Sequence, residues 1–316
     1  MSSSRSISAN GIEIFLREQG NGPLVLLCHG WPELSYSWRH QIPAIAEAGF
    51  HVVAPDMRGF GRTTAPSDIA AYSIFDTVGD MVALVSALGE KQAVIVGHDR
   101  GAPVAWHAAM FRPDVFTAVA GLSVPPPSRG RGRPLDSLRE SGITNFYWQY
   151  FQATGTAEAE FERDVALTMR TLLGRGFSDP AVSLFIEAGK GFLGDASADR
   201  PLPAWLSEAD LAHFIEAYRK SGFRGGLNWY RNIDRNWELT APWQGAQIHQ
   251  PSLFIAGSKD SVITGLIGAK RLGGMERILP KLKQKLIIDG AGHWIQQERA
   301  AEVNAALIDF LKENAG

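Results

Sequence analysis

The chain has 316 residues, 31 lysines and arginines against 33 aspartates and glutamates, and 45% hydrophobic residues. That length can bury one substantial core and carry a smaller subdomain. The near-neutral charge argues against nucleic acid as a partner, because phosphate binding needs a basic face.

The N-terminal stretch MSSSRSISANGIE has no apolar leader core, and no run reaches the roughly 18 apolar residues of a spanning helix. These features predict a cytoplasmic protein with no membrane partner. The single cysteine, Cys28, lies inside the apolar run LVLLCHG, so an internal disulfide is impossible and a buried, inert thiol is expected.

In chain order, the runs LVLLCHG (24–30), HVVAPD (51–56), AVIVGHD (93–99), AVAGLSV (118–124), SLFIAGSKD (252–260) and KLIIDGAGH (285–293) read as short strands. Helical patterns such as TVGDMVALVSALG (77–89) separate them. Strands that are apolar on both faces, alternating with helices, predict an α/β fold: a mostly parallel sheet covered on both sides. In such sheets the site forms beyond the carboxyl ends of the strands. His29, Asp56, Asp99, Asp260 and His293 all fall at or just past those ends.

Residues 128–245 break the rhythm with aromatic, helix-patterned segments: NFYWQYF, EAEFERDVALTMRTLL, EADLAHFIEAYRKSG and GLNWYRNIDRNW. The expected organisation is a core of residues 1–127 and 246–316, with 128–245 inserted as a helical cap over the catalytic edge. The basic run Arg129-Gly-Arg-Gly-Arg133 reads as a solvated connector. There are no internal repeats.

GHDRG (97–101) follows an apolar strand and opens a helix, which is the setting of a G-x-S-x-G nucleophile elbow with Asp99 in the serine position. Elbow enzymes place nucleophile, acid and histidine in that chain order, and Asp99, Asp260 in GSKD and His293 in GAGHW meet it. Asp289 lies too near His293 along the strand end to orient it and reads as structural. HGWP (29–32) follows the first of the predicted strands. The backbone N–H groups of Trp31 and Arg100 are the expected oxyanion hole, and His29 organises the loop.

An aspartate in the elbow carries a chemical implication. A serine attacking an alkyl carbon would leave an ether with no carbonyl for water to attack. A carboxylate leaves an ester whose carbonyl is its own, and a histidine-activated water can cleave it. Substitution at an alkyl carbon is therefore expected, and esterase, lipase or protease activity is not.

HGWPE, DMRGFGRT, GHDRGA, GSKD, GAGHW and the segment GLNWYRNIDRNW together resemble the epoxide hydrolases of the α/β-hydrolase fold. The resemblance covers nearly the whole chain. It implies hydrolysis of an epoxide to a vicinal diol, with two cap tyrosines holding the epoxide oxygen. The matching positions are Tyr230 in NWYRN and Tyr147 in YWQYFQ, with Tyr150 as a rival to Tyr147. A phenol suits that work, since it can donate first a hydrogen bond and then a proton to a developing alkoxide.

Trp31, Trp148 and Trp294 suggest an apolar, substrate-binding pocket for an aryl or alkyl epoxide. Water is the second reactant, and a homodimer is compatible with this reading. No histidine pair sits at ligand spacing with an acid on one helix, so neither metal nor cofactor is expected.

Two other functions remain in view. One is a dehalogenase of fluoroacetate or haloalkane type: Arg100 after the nucleophile resembles the D-R-G of fluoroacetate dehalogenases, although their second arginine position is Pro103 here and the cap reads Tyr147-Trp148, and it stands where haloalkane dehalogenases carry a halide-holding tryptophan. A non-catalytic ligand-binding protein could also keep this fold.

Overall fold

The computed structural model describes residues 3–175, 184–199 and 201–315. Eight strands form one sheet: β1 (Ser3–Ala9), β2 (Ile12–Gln19), β3 (Leu24–Cys28), β4 (His51–Pro55), β5 (Ala93–His98), β6 (Phe116–Leu122), β7 (Ser252–Gly257) and β8 (Leu282–Ile288). Their order is β1-β2-β4-β3-β5-β6-β7-β8. From β4 to β8 every neighbour pair is parallel, while β1 with β2 and β2 with β4 are antiparallel.

Burial follows position in the sheet. Every residue of β3, β5 and β7 is buried, which is why their sequences are continuous apolar runs rather than alternating ones. The edge strands β1 and β8 are largely exposed and carry serines and lysines, side chains that protect a free edge. The hairpin β1–β2 was not among the strands read from the sequence. Its signal was present in Asn10-Gly11, both at positive φ (50° and 74°), the residue pair that a two-residue hairpin turn selects.

Helices cover both faces. One face packs Met81, Leu84 and Val85 of helix Ile74–Ala87, and Val104, Ala105 and Trp106 of helix Gly101–Phe111. The other face packs Ile42 and Ile45 of helix Gln41–Glu47, and Val303, Leu307 and Leu311 of helix Ala300–Asn314. Helix Ile74–Ala87 starts a few residues before the predicted pattern because Ser73 and Asp76 form a reciprocal capping box.

Between β6 and β7 the described chain forms helices joined by irregular segments, with no strand and one isolated bridge, Phe146 to Phe185. The helices Tyr147–Tyr150, Glu208–Ser221 and Arg224–Arg231 matter most for the site. This segment docks on the loops beyond the carboxyl ends of the strands. Trp229 Nε1 donates to the Arg58 carbonyl beyond β4 at 3.0 Å, and Tyr218 Oη donates to the Glu33 carbonyl beyond β3 at 3.3 Å. The close approach of Gly225 to Gly59 requires glycine: a Cβ at Gly225 would overlap the Gly59 carbonyl oxygen. Among the described residues no helix is long and apolar enough to cross a membrane.

Candidate active site

Asp99 sits between β5 and helix Gly101–Phe111 with φ 46°, a left-handed conformation that costs a non-glycine residue about 1–2 kcal/mol. The surroundings enforce it. A Cβ at Gly97 would overlap the Gly101 carbonyl oxygen, and one at Gly101 would overlap the Cys28 carbonyl oxygen, so the turn closes only with glycine at both places. The strain lifts the carboxylate out of the strand and into the site.

The Trp31 N–H donates to Asp99 Oδ1 at 2.8 Å. Asp99 is buried, which by itself favours the neutral acid. The His293 hydrogen bond and charge, with help from the Trp31 N–H, outweigh that cost and hold the carboxyl below its ordinary range. The Arg100 amide nitrogen would lie 2.8 Å from a Cβ on Gly30, which places it beside the residue that precedes Trp31.

His29 is confined to this loop. Its Nδ1 donates to the Gly30 carbonyl at 2.8 Å, and its Nε2 accepts from the Met57 N–H at 2.9 Å. Both ring nitrogens are used, and burial depresses its basicity. Asp56 likewise accepts from the backbone N–H groups of Ser35 and Arg62 and organises two loops. Of the five strand-end groups, the structure joins Asp99, Asp260 and His293.

His293 follows β8 and is fully buried. Its Nδ1 lies 2.9 Å from Asp260 Oδ2, and its Nε2 lies 3.5 Å from Asp99 Oδ2. Asp260 follows β7 and caps helix Ser261–Thr264, its Oδ1 accepting from the Val262 N–H at 2.8 Å. That leaves Oδ2 free to orient the imidazole. Burial alone would lower the His293 pKa, but the Asp260 and Asp99 carboxylates outweigh it and raise it to about 10. Asp289 is exposed, with its Oδ1 accepting from Ser258 Oγ, and takes no part in the site.

Beneath His293 lies a polar cluster that the sequence did not reveal. His98 Nε2 lies 2.8 Å from the His293 carbonyl oxygen, and Ser123 Oγ donates to the same oxygen at 2.8 Å. His98 Nδ1 lies 2.6 Å from Glu33 Oε2. Glu33 also accepts from the Gly30 N–H at 2.9 Å and from Gln296 Nε2 at 2.8 Å. Burial resists its ionisation, yet the His98 charge and hydrogen bond hold its carboxyl below the ordinary range. Glu33 therefore ties the Trp31 loop to the His293 loop. The only hint in the sequence was an acid at the end of HGWPE.

The cap supplies the tyrosines. Tyr147 opens helix Tyr147–Tyr150, Tyr230 lies in helix Arg224–Arg231, and both are buried with ring centroids 5.7 Å apart. Burial and the Asp99 charge raise both phenol pKa values above the ordinary 10, so each keeps its proton at neutral pH. Tyr150 points elsewhere and donates to Glu160 Oε2 at 2.7 Å. Glu160 also accepts the N–H groups of Phe192 and Leu193, which fixes that arrangement.

Trp31 packs edge-on against Tyr230 at 5.8 Å and against Phe151 at 5.3 Å. Trp148 lies beside Tyr147 and Phe146, while the Trp294 ring packs on His293 at 4.8 Å and on His98 at 5.7 Å. No group of three or more His, Cys, Asp or Glu side chains among the described residues could hold a metal ion.

The chain is similar to known proteins along nearly its whole length. Residues 23–300 match the alpha/beta hydrolase fold family. Epoxide hydrolase A of Mycobacterium tuberculosis is 45% identical over 97% of this chain and 96% of its own. Epoxide hydrolase 2 of Siraitia grosvenorii is 42% identical over 98% of each chain. The crystal structure of epoxide hydrolase A from Mycobacterium thermoresistibile superposes with a TM-score of 0.94 at 45% identity, covering 99% of each chain. This chain belongs to the epoxide hydrolases of the alpha/beta hydrolase fold.

Proposed function

We propose that the chain adds water to an epoxide to give a vicinal diol, with Asp99 as nucleophile and a covalent ester as the intermediate. The observation that carries this reading is an ionised elbow carboxylate facing a His293–Asp260 pair on one side and a buried pair of protonated tyrosines on the other. An alkyl halide would need a site for a departing halide ion. A tyrosine pair serves instead an oxygen that must gain a proton.

Oδ1 of Asp99 is held by the Trp31 N–H, so Oδ2 is the attacking oxygen. The Oδ2–carbon bond forms as the epoxide carbon–oxygen bond breaks, and Tyr147 or Tyr230 protonates the released oxygen. Oδ1 is then the ester carbonyl oxygen, already accepting from the Trp31 N–H, with the Arg100 N–H as the second donor of the oxyanion hole.

The second step is timed by charge. While Asp99 is ionised, it and Asp260 hold His293 in its protonated form. Esterification removes the Asp99 charge and part of that support, so His293 releases its proton while the phenolate left by ring opening regains one, and the neutral imidazole serves as the base for water. Asp260 orients the ring and balances the imidazolium as it re-forms. Water adds at the Asp99 carbonyl carbon, the diol leaves with the former Oδ2, and Asp99 is regenerated.

Residues 128–245 act as the cap over a core of 1–127 and 246–316. Trp31 and Trp148 line an apolar pocket for the substrate, with Trp294 backing His293.

Intact-protein mass spectrometry on His293→Gln incubated with styrene oxide tests this reading. The expected result is a mass gain equal to the whole epoxide, absent in Asp99→Asn/His293→Gln. A gain that persists in the double variant, or turnover by Asp99→Asn equal to the parent, would remove Asp99 as nucleophile. A gain with fluoroacetate alone, equal to the substrate less hydrogen fluoride, would move the chain to dehalogenation.

A further inference from the structure

Arg100 lies between the nucleophile and the tyrosine pair, and none of the roles above uses its side chain. The guanidinium carbon stands 4.7 Å from the centroid of the Tyr230 ring, and Nη2 donates to the Trp229 carbonyl at 3.3 Å. Among the described residues its buried Nε has no hydrogen-bond partner, and no carboxylate lies within ion-pairing distance of the group. A half-buried cation is thus held against an aromatic ring with no acid to neutralise it.

The charge movement of ring opening gives that arrangement a purpose. Before the step, the negative charge is on Asp99. As the ester bond forms and a tyrosine gives its proton to the epoxide oxygen, that charge leaves Asp99 and arrives on the phenolate. One bond to carbon forms and one breaks, one proton moves, and the net charge of the site is unchanged. The charge therefore travels from Asp99, adjacent in sequence to Arg100, to the ring on which the Arg100 guanidinium rests. Arg100 also acts electrostatically on both tyrosines, opposing the effect of Asp99 on them.

We propose that Arg100 is a positioning residue for the ring-opening step: its guanidinium holds the Tyr230 ring in place and stabilises the negative charge the tyrosine pair takes up. This rests on the epoxide-opening reading above. Arg100 has a second, separate contribution to the ester hydrolysis step through its backbone N–H, which side-chain substitution leaves on the chain.

The test separates the two steps. Rates of ester formation are followed by quenched-flow mass spectrometry with styrene oxide in the His293→Gln protein, alone and combined with Arg100→Met, Arg100→Gln or Arg100→Lys. Loss of the charge in Met and Gln should slow ester formation by about tenfold, between the worth of an exposed and of a desolvated cation–π contact, while Lys retains most of the rate. In proteins with His293 intact, Met and Gln should reduce ester formation by a larger factor than ester hydrolysis.

Ester formation in Met and Gln at the parent rate would overturn the proposal. So would Lys as slow as Met, which would mark a role in packing alone, or equal losses in both steps, which would mark a displaced elbow. Absence of any ester in the His293→Gln parent would instead remove the epoxide reading on which the proposal stands.

Discussion

His98 Nε2 lies 2.8 Å from the carbonyl oxygen of His293, while its Nδ1 lies 2.6 Å from Glu33 Oε2. A carbonyl and a carboxylate both accept, so each ring nitrogen of His98 donates. The catalytic histidine loop therefore rests on a fully buried Glu33–His98 pair. Removing one partner of such a pair leaves a bare charge in the core. Glu33→Ala should destabilise the fold by about 3–5 kcal/mol, with Glu33→Gln losing less, as read from urea unfolding. A loss in Glu33→Ala no larger than that of a surface substitution would mean that the pair carries no charge.

This cluster is not legible in the sequence. The parallel strands were legible because their apolar runs are buried on both faces, and the elbow was legible because glycines flank Asp99. Asp260 and His293 followed from chain order. Glu33, His98, Ser123 and Gln296 come from a loop, the ends of two strands and a short helix, Ile295–Glu298. No local pattern links an acid at 33 with a histidine at 98; only the parallel sheet, which sets β3 beside β5, brings them together. The choice between Tyr147 and Tyr150 was open for a similar reason. It turns on Glu160, whose hydrogen bond to Tyr150 depends on how two cap helices pack.

Gly30 has an ordinary backbone conformation, yet its place against the elbow excludes a side chain. A Cβ there would overlap Asp99 Cβ and Oδ1 and lie 2.8 Å from the Arg100 amide nitrogen. Those are the nucleophile and one proposed hole donor. Gly30→Ala should keep the fold at a cost of about 1–3 kcal/mol, the usual range for overpacking. Its turnover should fall by about 100-fold or more, as expected when a hole donor is displaced. Activity near the parent level, with circular dichroism unchanged, would show that the two loops separate easily and that their spacing is not what sets the hole.

His293 makes stability depend on pH. Its folded pKa is raised to about 10 from an ordinary 6.5. A raised value means the folded state holds this proton more tightly than the unfolded chain does. The resulting stabilisation is complete below pH 6.5 and is lost as pH rises towards 10. Melting temperatures across that window should therefore fall in the parent, and fall less in His293→Gln, which has no such proton. Parallel curves for the two proteins would mean that His293 is not held protonated between Asp99 and Asp260.

The tyrosines separate donor from scaffold. Tyr147 and Tyr230 are buried beside each other and feel the Asp99 charge, whereas the Tyr150 hydroxyl is committed to Glu160. Loss of a proton donor costs a reaction about 10²–10⁴-fold. Replacing both Tyr147 and Tyr230 by Phe should slow ester formation by that order. Each single substitution should cost less, because the remaining phenol still donates. Tyr150→Phe removes a hydrogen bond about 2.7 Å long that anchors a cap helix, so it should lower the melting temperature and leave the rate of ester formation nearly unchanged. The deciding measurement is the rate of ester formation in the His293→Gln background, where the second step cannot mask the first. If Tyr150→Phe slows that rate as much as Tyr147→Phe does, the donor assignment passes to Tyr150, and the cap must rearrange before it reacts.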